Sequence, residues 1–311
     1  MKVLITGGAG FIGYHVAEKF ATEGHEVFCI DNFNDYYDVK LKHAREARLL
    51  NNHGIKVEEI DIQDADKMKG CILKNRPDMV IHLAASAGVR YSMEHAQEYI
   101  DNNITGTQNV IRACEHGGVD NVIYASTSCV MHGHPLPWGE VDALGPHLSP
   151  YGYTKATNES QFQVSNIENA VGLRFFTVYG PWGRPDMALF DFTKKILKGD
   201  EITVYNEGNM IRDFTYVDDI VQGVFLVANN MTKRDIYCIG YGEQVKLTYF
   251  IRCIEKELGI EAKMKYEEHH PADALETWSN TDKLRKLGYN PSTPIEEGVK
   301  NFVQWYRGFY N

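Results

Sequence analysis

No two cysteines in this 311-residue chain stand in a Cys-x-x-Cys spacing. The six present (Cys29, Cys71, Cys114, Cys129, Cys238 and Cys253) are scattered, the pattern of reduced thiols in a cytoplasmic protein rather than of a disulfide framework or a zinc site. The twelve histidines form neither His-x-x-x-His nor His-Glu-x-x-His, and His269-His270 reads as a polar loop pair, so no metal is expected. An excess of positive charge is also missing. The formal charge of -10 argues against a nucleic-acid or anionic-membrane partner and leaves room only for a local basic pocket. The most apolar run, Val221 to Ala228, is far too short to span a bilayer, and Met1-Lys2 leads directly into an apolar strand without space for a signal peptide. With 43% apolar residues, the length suits one large domain carrying a lobe, or two domains.

What is present begins with Val3-Leu4-Ile5, a short apolar run typical of a buried parallel strand, followed at once by Thr6-Gly7-Gly8-Ala9-Gly10-Phe11-Ile12-Gly13. A helix follows, with Val16, Ala17 and Phe20 on one face. The glycines fit both Gly8-x-Gly10-x-x-Gly13 and Gly7-x-x-Gly10-x-x-Gly13. Such a strand-to-helix turn lets backbone N–H groups meet a pyrophosphate at the positive end of the helix; a turn serving packing alone is the bland alternative. The expected cofactor contacts are Gly7, Gly10, Phe11, Ile12 and Gly13. The next strand, 26–30, ends in Asp31, about twenty positions past the turn, where a ribose 2′-hydroxyl belongs. With no arginine in Asp31-Asn32-Phe33-Asn34-Asp35, NAD is favoured over NADP.

A helix over 39–50 and a strand over 55–60 are expected next, ending in Asp61-Ile62, placed to touch adenine. After another helix, the strand Met79-Val80-Ile81-His82 runs into Leu83-Ala84-Ala85, small enough for the backbone to pass close to a cofactor. A helical stretch over 94–116 carries Asn103, and a strand over 122–125 leads to Ser126-Thr127-Ser128-Cys129. Alternating strands and helices imply a Rossmann-type α/β fold with a doubly wound parallel sheet, whose sites lie at the strands' carboxyl ends. The hydroxyls at 126–128 then either face a substrate or make an ordinary Ser/Thr turn.

Ser149-Pro150 forms a helix start, and Tyr151 and Lys155 follow four residues apart on one helical face. A lysine cation near a phenol favours the phenolate, suiting the tyrosine to general-base work. Tyr153 points to another side. Beyond a strand at 171–176 the rhythm loosens. We expect a dinucleotide domain over 1–176, rejoined by segments near 217–240, and a smaller α/β substrate lobe over 177–311, with helices at 187–197, 217–229 and 294–306, the last turning Val299, Phe302 and Trp305 inward.

The glycine turn, the strand-end Ser/Thr and the Tyr151/Lys155 pair together resemble the extended short-chain dehydrogenase/reductase family, and most closely its UDP-glucuronate 4-epimerases. The similarity extends through Asp31 to Tyr37, Ala87-Gly88-Val89-Arg90-Tyr91-Ser92, Leu173 to Pro181, Gly183 to Ala188 and Gly208 to Phe214. It implies NAD as cofactor and a UDP-sugar as substrate, oxidised transiently at C4, rotated as the 4-keto sugar and reduced on its other face. By the same resemblance Thr127, Tyr151 and Lys155 are catalytic, and Asn103 and residues 83–85 belong to the cofactor site. Ser128 and Thr177 would hold the sugar carboxylate, Arg212 the diphosphate with Arg184 and Arg90 in support, Val204 and Tyr205 the uracil, and Asp273 a ribose hydroxyl. Tyr205 as an inward-packing strand aromatic is the competing reading.

The strip Ser128-Cys129-Val130-Met131-His132-Gly133 departs from the family pattern. It lacks the Glu that decarboxylases of this family place at 129 and the Asp-Glu that dehydratases place at 128–129, so the resemblance implies simple epimerisation. A UDP-glucose or UDP-N-acetylglucosamine 4-epimerase, a UDP-glucuronate decarboxylase and a non-catalytic NAD-binding protein are the other readings. A homodimer built on the helices near 94–116 and 149–166, and a role in galacturonate-containing polysaccharide, complete the expectation.

Overall fold

A computed structural model describes residues 1–231 and 233–310. Six strands alternate with helices along its first half: β1 (Lys2–Thr6), β2 (Glu26–Asp31), β3 (Val57–Glu59), β4 (Met79–His82), β5 (Asn121–Thr127) and β6 (Asn169–Phe175). The helices between them are α1 (Phe11–Thr22), α2 (Val39–His53), α3 (Ala65–Asn75), α4 (Ala96–Tyr99), α5 (Thr107–Gly117) and α6 (Pro150–Val164). Later come β7 (Thr177–Tyr179), α7 (Ala188–Lys198), β8 (Glu201–Tyr205), β9 (Ile211–Arg212), β10 (Phe214–Tyr216), α8 (Val217–Asn229) and β11 (Arg234–Ile239). The chain ends with β12 (Val245–Lys246), α9 (Leu247–Leu258), β13 (Lys263–Glu267), α10 (Asp282–Arg285) and α11 (Ile295–Tyr310).

Seven strands form one sheet in the order β11-β6-β5-β4-β1-β2-β3, each pair parallel. The strand order reverses direction between β1 and β4, and ligands bind outside the carboxyl ends at such a point. Alternation along each strand explains why both faces are covered. Val3, Ile5, Cys29, Ile81, Ile123 and Val171 face a core shared with α1, α2, α8 and α11, whereas Leu4, Ile30, Val80, Val122 and Tyr124 face one shared with α3, α5 and α6. The remaining strands pair in twos, β7 with β10, β9 with β12 and β8 with β13. Among the described residues no helix is long and apolar enough to cross a membrane.

Several boundaries differ from the sequence expectation for local physical reasons. The strand expected over 55–60 pairs with β2 only over Val57–Glu59. The helix expected over 94–116 begins at Ala96 and passes through a π-helical turn, Ile100–Gly106, before α5; such bulges turn extra side chains inward and cluster at functional sites. Ser126 and Thr127 are the last residues of β5 rather than a turn after it, because both pair with β6. The final helix runs on to Tyr310, since Phe309 and Tyr310 extend an aromatic cluster with Trp305, Phe190 and Trp182. Trp305 is half-buried at its edge, not fully inward.

Candidate active site

The site is assembled at the carboxyl ends of β1, β2, β4, β5 and β6. Gly7 leaves β1 with φ +74, and a side chain at Gly13 would collide with the Gly7 carbonyl oxygen, so the turn accepts only glycine at both places. The Gly10 amide bonds the Gly7 carbonyl at 2.9 Å, and the first intrahelical bond of α1 runs from Tyr14 to Gly10. Among the described residues the amides of Phe11 and Ile12 therefore stand free at a helix N-terminus, the usual anion-binding arrangement. Asp31 caps the turn from the side. Its carboxylate accepts the Ala9 amide at 3.2 Å and the Phe33 amide at 2.9 Å, and pairs with the buried Lys42 at 3.4 Å. Asn32 donates to Asp61 at 3.0 Å, which places the two polar residues side by side at the ends of β2 and β3.

One cleft of about 320 Å³ runs from this turn to the end of β6. Along it lie the expected cofactor residues Gly7, Gly10, Phe11, Ile12, Gly13, Asp31, Asn32, Ile62, Leu83, Ala84 and Ala85, then Thr127, Ser128, Tyr151, Lys155, Thr177 and Arg184. Asn103 is fully buried and does not line it. Its side chain accepts the Ser86 amide at 2.8 Å and donates to the Ser86 carbonyl and the Thr154 hydroxyl, so it fixes a cleft residue from behind and ties the β4 loop to α6.

Helix α6 starts under a Ser149 cap, with Pro150 in its first turn, and presents Tyr151 and Lys155 to the cleft. Burial pushes the Tyr151 phenol up to about 12; the Cys129 thiol adds to the rise, and the Thr127 hydroxyl and Arg184 guanidinium oppose it. Burial pushes Lys155 down to about 8, with Glu159 pulling the other way. In the ligand-free cleft burial is the largest influence on Tyr151 and favours its neutral phenol. Thr127 accepts the Cys129 amide and caps a short 3₁₀ turn, Ser128–Met131. Of the distinctive strip only Ser128 and Cys129 face the cleft; Val130 and Met131 are fully buried against Trp138. Burial raises the Cys129 thiol, so it stays neutral.

The remaining expected residues form a second group. Arg90 pairs with Asp273 at 2.6 Å and lies 3.9 Å over the Tyr205 ring, so the loop after β4 touches the end of β8 and the segment after β13 directly. Arg212 donates to the Ile211 and Leu275 carbonyls, and its charge favours the Cys129 thiolate against burial. Arg184, expected beside them, lies instead in the cleft with Tyr151 and Thr177, held by Asp186, which also accepts the Tyr36 hydroxyl. Val204 is fully buried, because alternation along β8 turns Ile202 and Val204 into the core and Tyr205 outward; only the Val204 backbone is left to meet a base.

Sequence reading missed Tyr36, Lys42, Ser86, Tyr99 and Met187 as cleft residues. Lys42 belongs to a helix crowded with Lys, Arg, His and Asn, where it reads as one more solvated charge; only the carboxylate it meets in three dimensions gives it away.

The helix amides, the Asp31 carboxylate and the buried Lys155, which has no hydrogen-bond partner among the described residues, fit a dinucleotide lying along the cleft. Fold and site define a Rossmann-type short-chain dehydrogenase/reductase architecture. The chain belongs to the NAD dependent epimerase/dehydratase family, whose model matches residues 3–240. It is 41% identical to Protein CapI of Staphylococcus aureus, over 100% of this chain and 99% of that one. It is 38% identical to UDP-glucuronate 4-epimerase 3 of Arabidopsis thaliana, over 100% of this chain and 77% of the relative. Among solved structures it is similar to UDP-glucuronic acid 4-epimerase from Bacillus cereus, solved in complex with UDP-glucuronic acid and NAD, with TM-score 0.92, 33% identity and 100% coverage of both chains.

Proposed function

We propose that the protein is an NAD-dependent UDP-glucuronate 4-epimerase, interconverting UDP-glucuronate and UDP-galacturonate. The observation that carries this reading is the convergence of the Tyr151 phenol, the Thr127 hydroxyl and the Arg184 guanidinium in one cleft continuous with the glycine turn. NAD, when bound, would supply a reversible two-electron acceptor for the hydride at sugar C4. Gly7, Gly10, Phe11, Ile12 and Gly13 cradle its diphosphate, Asp31 and Asn32 its adenosine ribose, and Asp61 and Ile62 the adenine edge. Leu83, Ala84 and Ala85 let the backbone pass close, and Asn103 holds that loop in place.

Lys155 binds the second ribose and, with its charge beside the phenol, lowers the Tyr151 pKa from its ligand-free value. Tyr151 takes the proton from the sugar 4-hydroxyl and returns it after the 4-keto sugar has turned over, while Thr127 holds O4. Arg184, with Ser128 and Thr177, meets the sugar carboxylate; a planar guanidinium suits that anion. Arg90 and Arg212 take the diphosphate, Tyr205 and the Val204 backbone the uracil, and Asp273 a ribose hydroxyl. A neutral thiol stands at 129 and no carboxylate, so decarboxylation or water loss has no acid or base from that position.

In this reading residues 1–176 with β11 hold the cofactor and the rest mainly the substrate. The protein is a cytoplasmic homodimer joined through α4, α5 and α6, supplying galacturonate for a polysaccharide. Incubation with UDP-glucuronate, followed by NMR, tests it. UDP-galacturonate is the expected product, and deuterium placed at C4 remains at C4. UDP-xylose as the main product, or loss of the label to solvent, would overturn the reading, and turnover of UDP-glucose alone would move it to a neutral sugar.

A further inference from the structure

Arg45, on α2, is the largest side chain that the fold encloses completely. Its Nη1 donates to the Ala9 carbonyl and to the Tyr37 hydroxyl, each at 2.8 Å, and its Nη2 to the carbonyls of Trp182 at 2.6 Å and Gly183 at 3.4 Å. Every partner is neutral, and Nε is buried without one. The neighbouring cations Lys42 and Arg184 have carboxylates, Asp31 and Asp186; among the described residues Arg45 has none within 4.0 Å. An unpaired buried guanidinium is costly, and an apolar side chain would fill the space at less expense. What an apolar side chain lacks is the ability to hold two loops by their backbones.

Both loops lead into the cleft. Ala9 is pinned through its N–H by Asp31 and through its carbonyl by Arg45, with Gly10 alone between it and the amides of Phe11 and Ile12. At the other end of the guanidinium, Trp182, with φ 61, and Gly183 precede Arg184 by one or two residues. The segment before α2 braces the same loop once more, since Tyr36 donates to Asp186, the partner of Arg184, while the neighbouring Tyr37 accepts from Arg45 itself.

We propose that Arg45 is a positioning residue that couples the dinucleotide turn to the loop presenting Arg184, so that occupancy of one subsite sets the geometry of the other. An anion at the start of α1 draws the uncompensated charge and the Ala9 peptide with it, and the same side chain carries the displacement to residues 182–184. The proposal rests on the function given above, which names the two ligands.

NADH and UDP-glucuronate form a pair that does not react, so the coupling is measured at equilibrium. UDP-glucuronate affinity is determined calorimetrically, without and with saturating NADH, for the wild type, R45M, R45K and, as a charge control on an exposed position of α2, K40M. In the wild type NADH tightens UDP-glucuronate by at least about fivefold. That ratio falls to one in R45M and in R45K, whose single ammonium cannot span both loops, and stays at the wild-type value in K40M. A residue needed only for folding would lower thermal stability and leave the ratio alone; should R45M not fold, R45K decides. A wild-type ratio of one, or an unchanged ratio in R45K, overturns the coupling. A wild type that binds neither ligand overturns the proposed function itself.

Discussion

Lys155 and Glu159 stand one turn apart on α6, yet the carboxylate does not hold the lysine. Glu159 accepts two bonds from Arg174, at 3.0 and 2.9 Å, and one from the Ser126 hydroxyl at 2.5 Å. The Lys155 ammonium is left buried, with no hydrogen bond and no ion pair within 4.0 Å among the described residues, facing the cleft. A charge kept desolvated in the cleft that Tyr151 also lines is poised for a ligand, and the cost falls on stability.

That cost is measurable. Lys155 titrates near 8 in the fold, against 10.5 unfolded, so the folded state binds the proton less well and the penalty is fully present below pH 8. It is relieved as pH rises from 8 to 10.5, where only the unfolded chain keeps the proton. Lys155→Met should therefore be more stable than the ligand-free wild type at pH 7, by roughly 1–3 kcal/mol, with the gap closing toward pH 10. Urea denaturation of both proteins across that range checks it. A wild type more stable than the variant at pH 7 would show that the ammonium is satisfied.

The Glu159/Arg174 pair predicts the opposite behaviour. Both side chains are buried, and Glu159→Gln leaves the guanidinium without its counter-charge. The loss should be about 3–5 kcal/mol, read as a fall in thermal midpoint. The double variant Glu159→Leu/Arg174→Met, with no stranded charge, should recover most of it.

Tyr151 and Tyr153 separate the chemistry from the scaffold. Tyr151 lines the cleft and Tyr153 does not. Tyr151→Phe should lower kcat by at least about a hundredfold through lost proton transfer, with UDP-glucuronate affinity nearly intact. Tyr153→Phe should change kcat by less than about threefold. Equal losses would mean that the helix face has been misassigned.

Which parts were legible in the sequence follows from how local their causes are. The strand, glycine turn and helix at 3–20 are set by neighbours in the chain, as are the 217–229 helix and the Tyr151/Lys155 spacing, and all three stand where expected. Contacts between distant segments left no such trace. Arg90 meets Asp273 across 183 residues, and Arg45 meets Trp182 across 137. The ligand-free state of Tyr151 was out of reach for the same reason: its pKa is set chiefly by burial, which depends on β5, the loop after β4 and the Arg184 loop together. Val204 shows the converse. Its strand was legible, but which face met the core depended on α7 and α9 packing beneath it.

Lys42 sharpens the choice of cofactor. Sequence favoured NAD because no arginine stands beside Asp31, but the fold brings the Lys42 ammonium to 3.4 Å from that carboxylate, with Asn34 accepting from it at 2.9 Å. The carboxylate neutralises the lysine and would repel a 2′-phosphate. We expect the wild type to bind NADH at least about a hundredfold more tightly than NADPH. Asp31→Ala should narrow this to roughly tenfold or less from both sides: NADH loses an acceptor for its ribose, and the freed Lys42 gains a phosphate to pair with. The double variant Asp31→Ala/Lys42→Met should lose NADH affinity to the same extent without gaining NADPH. Fluorescence titration of the three proteins separates the effects. Equal NADPH affinity in the single and double variants would show that the lysine holds Asp31 in place and takes no part in the discrimination.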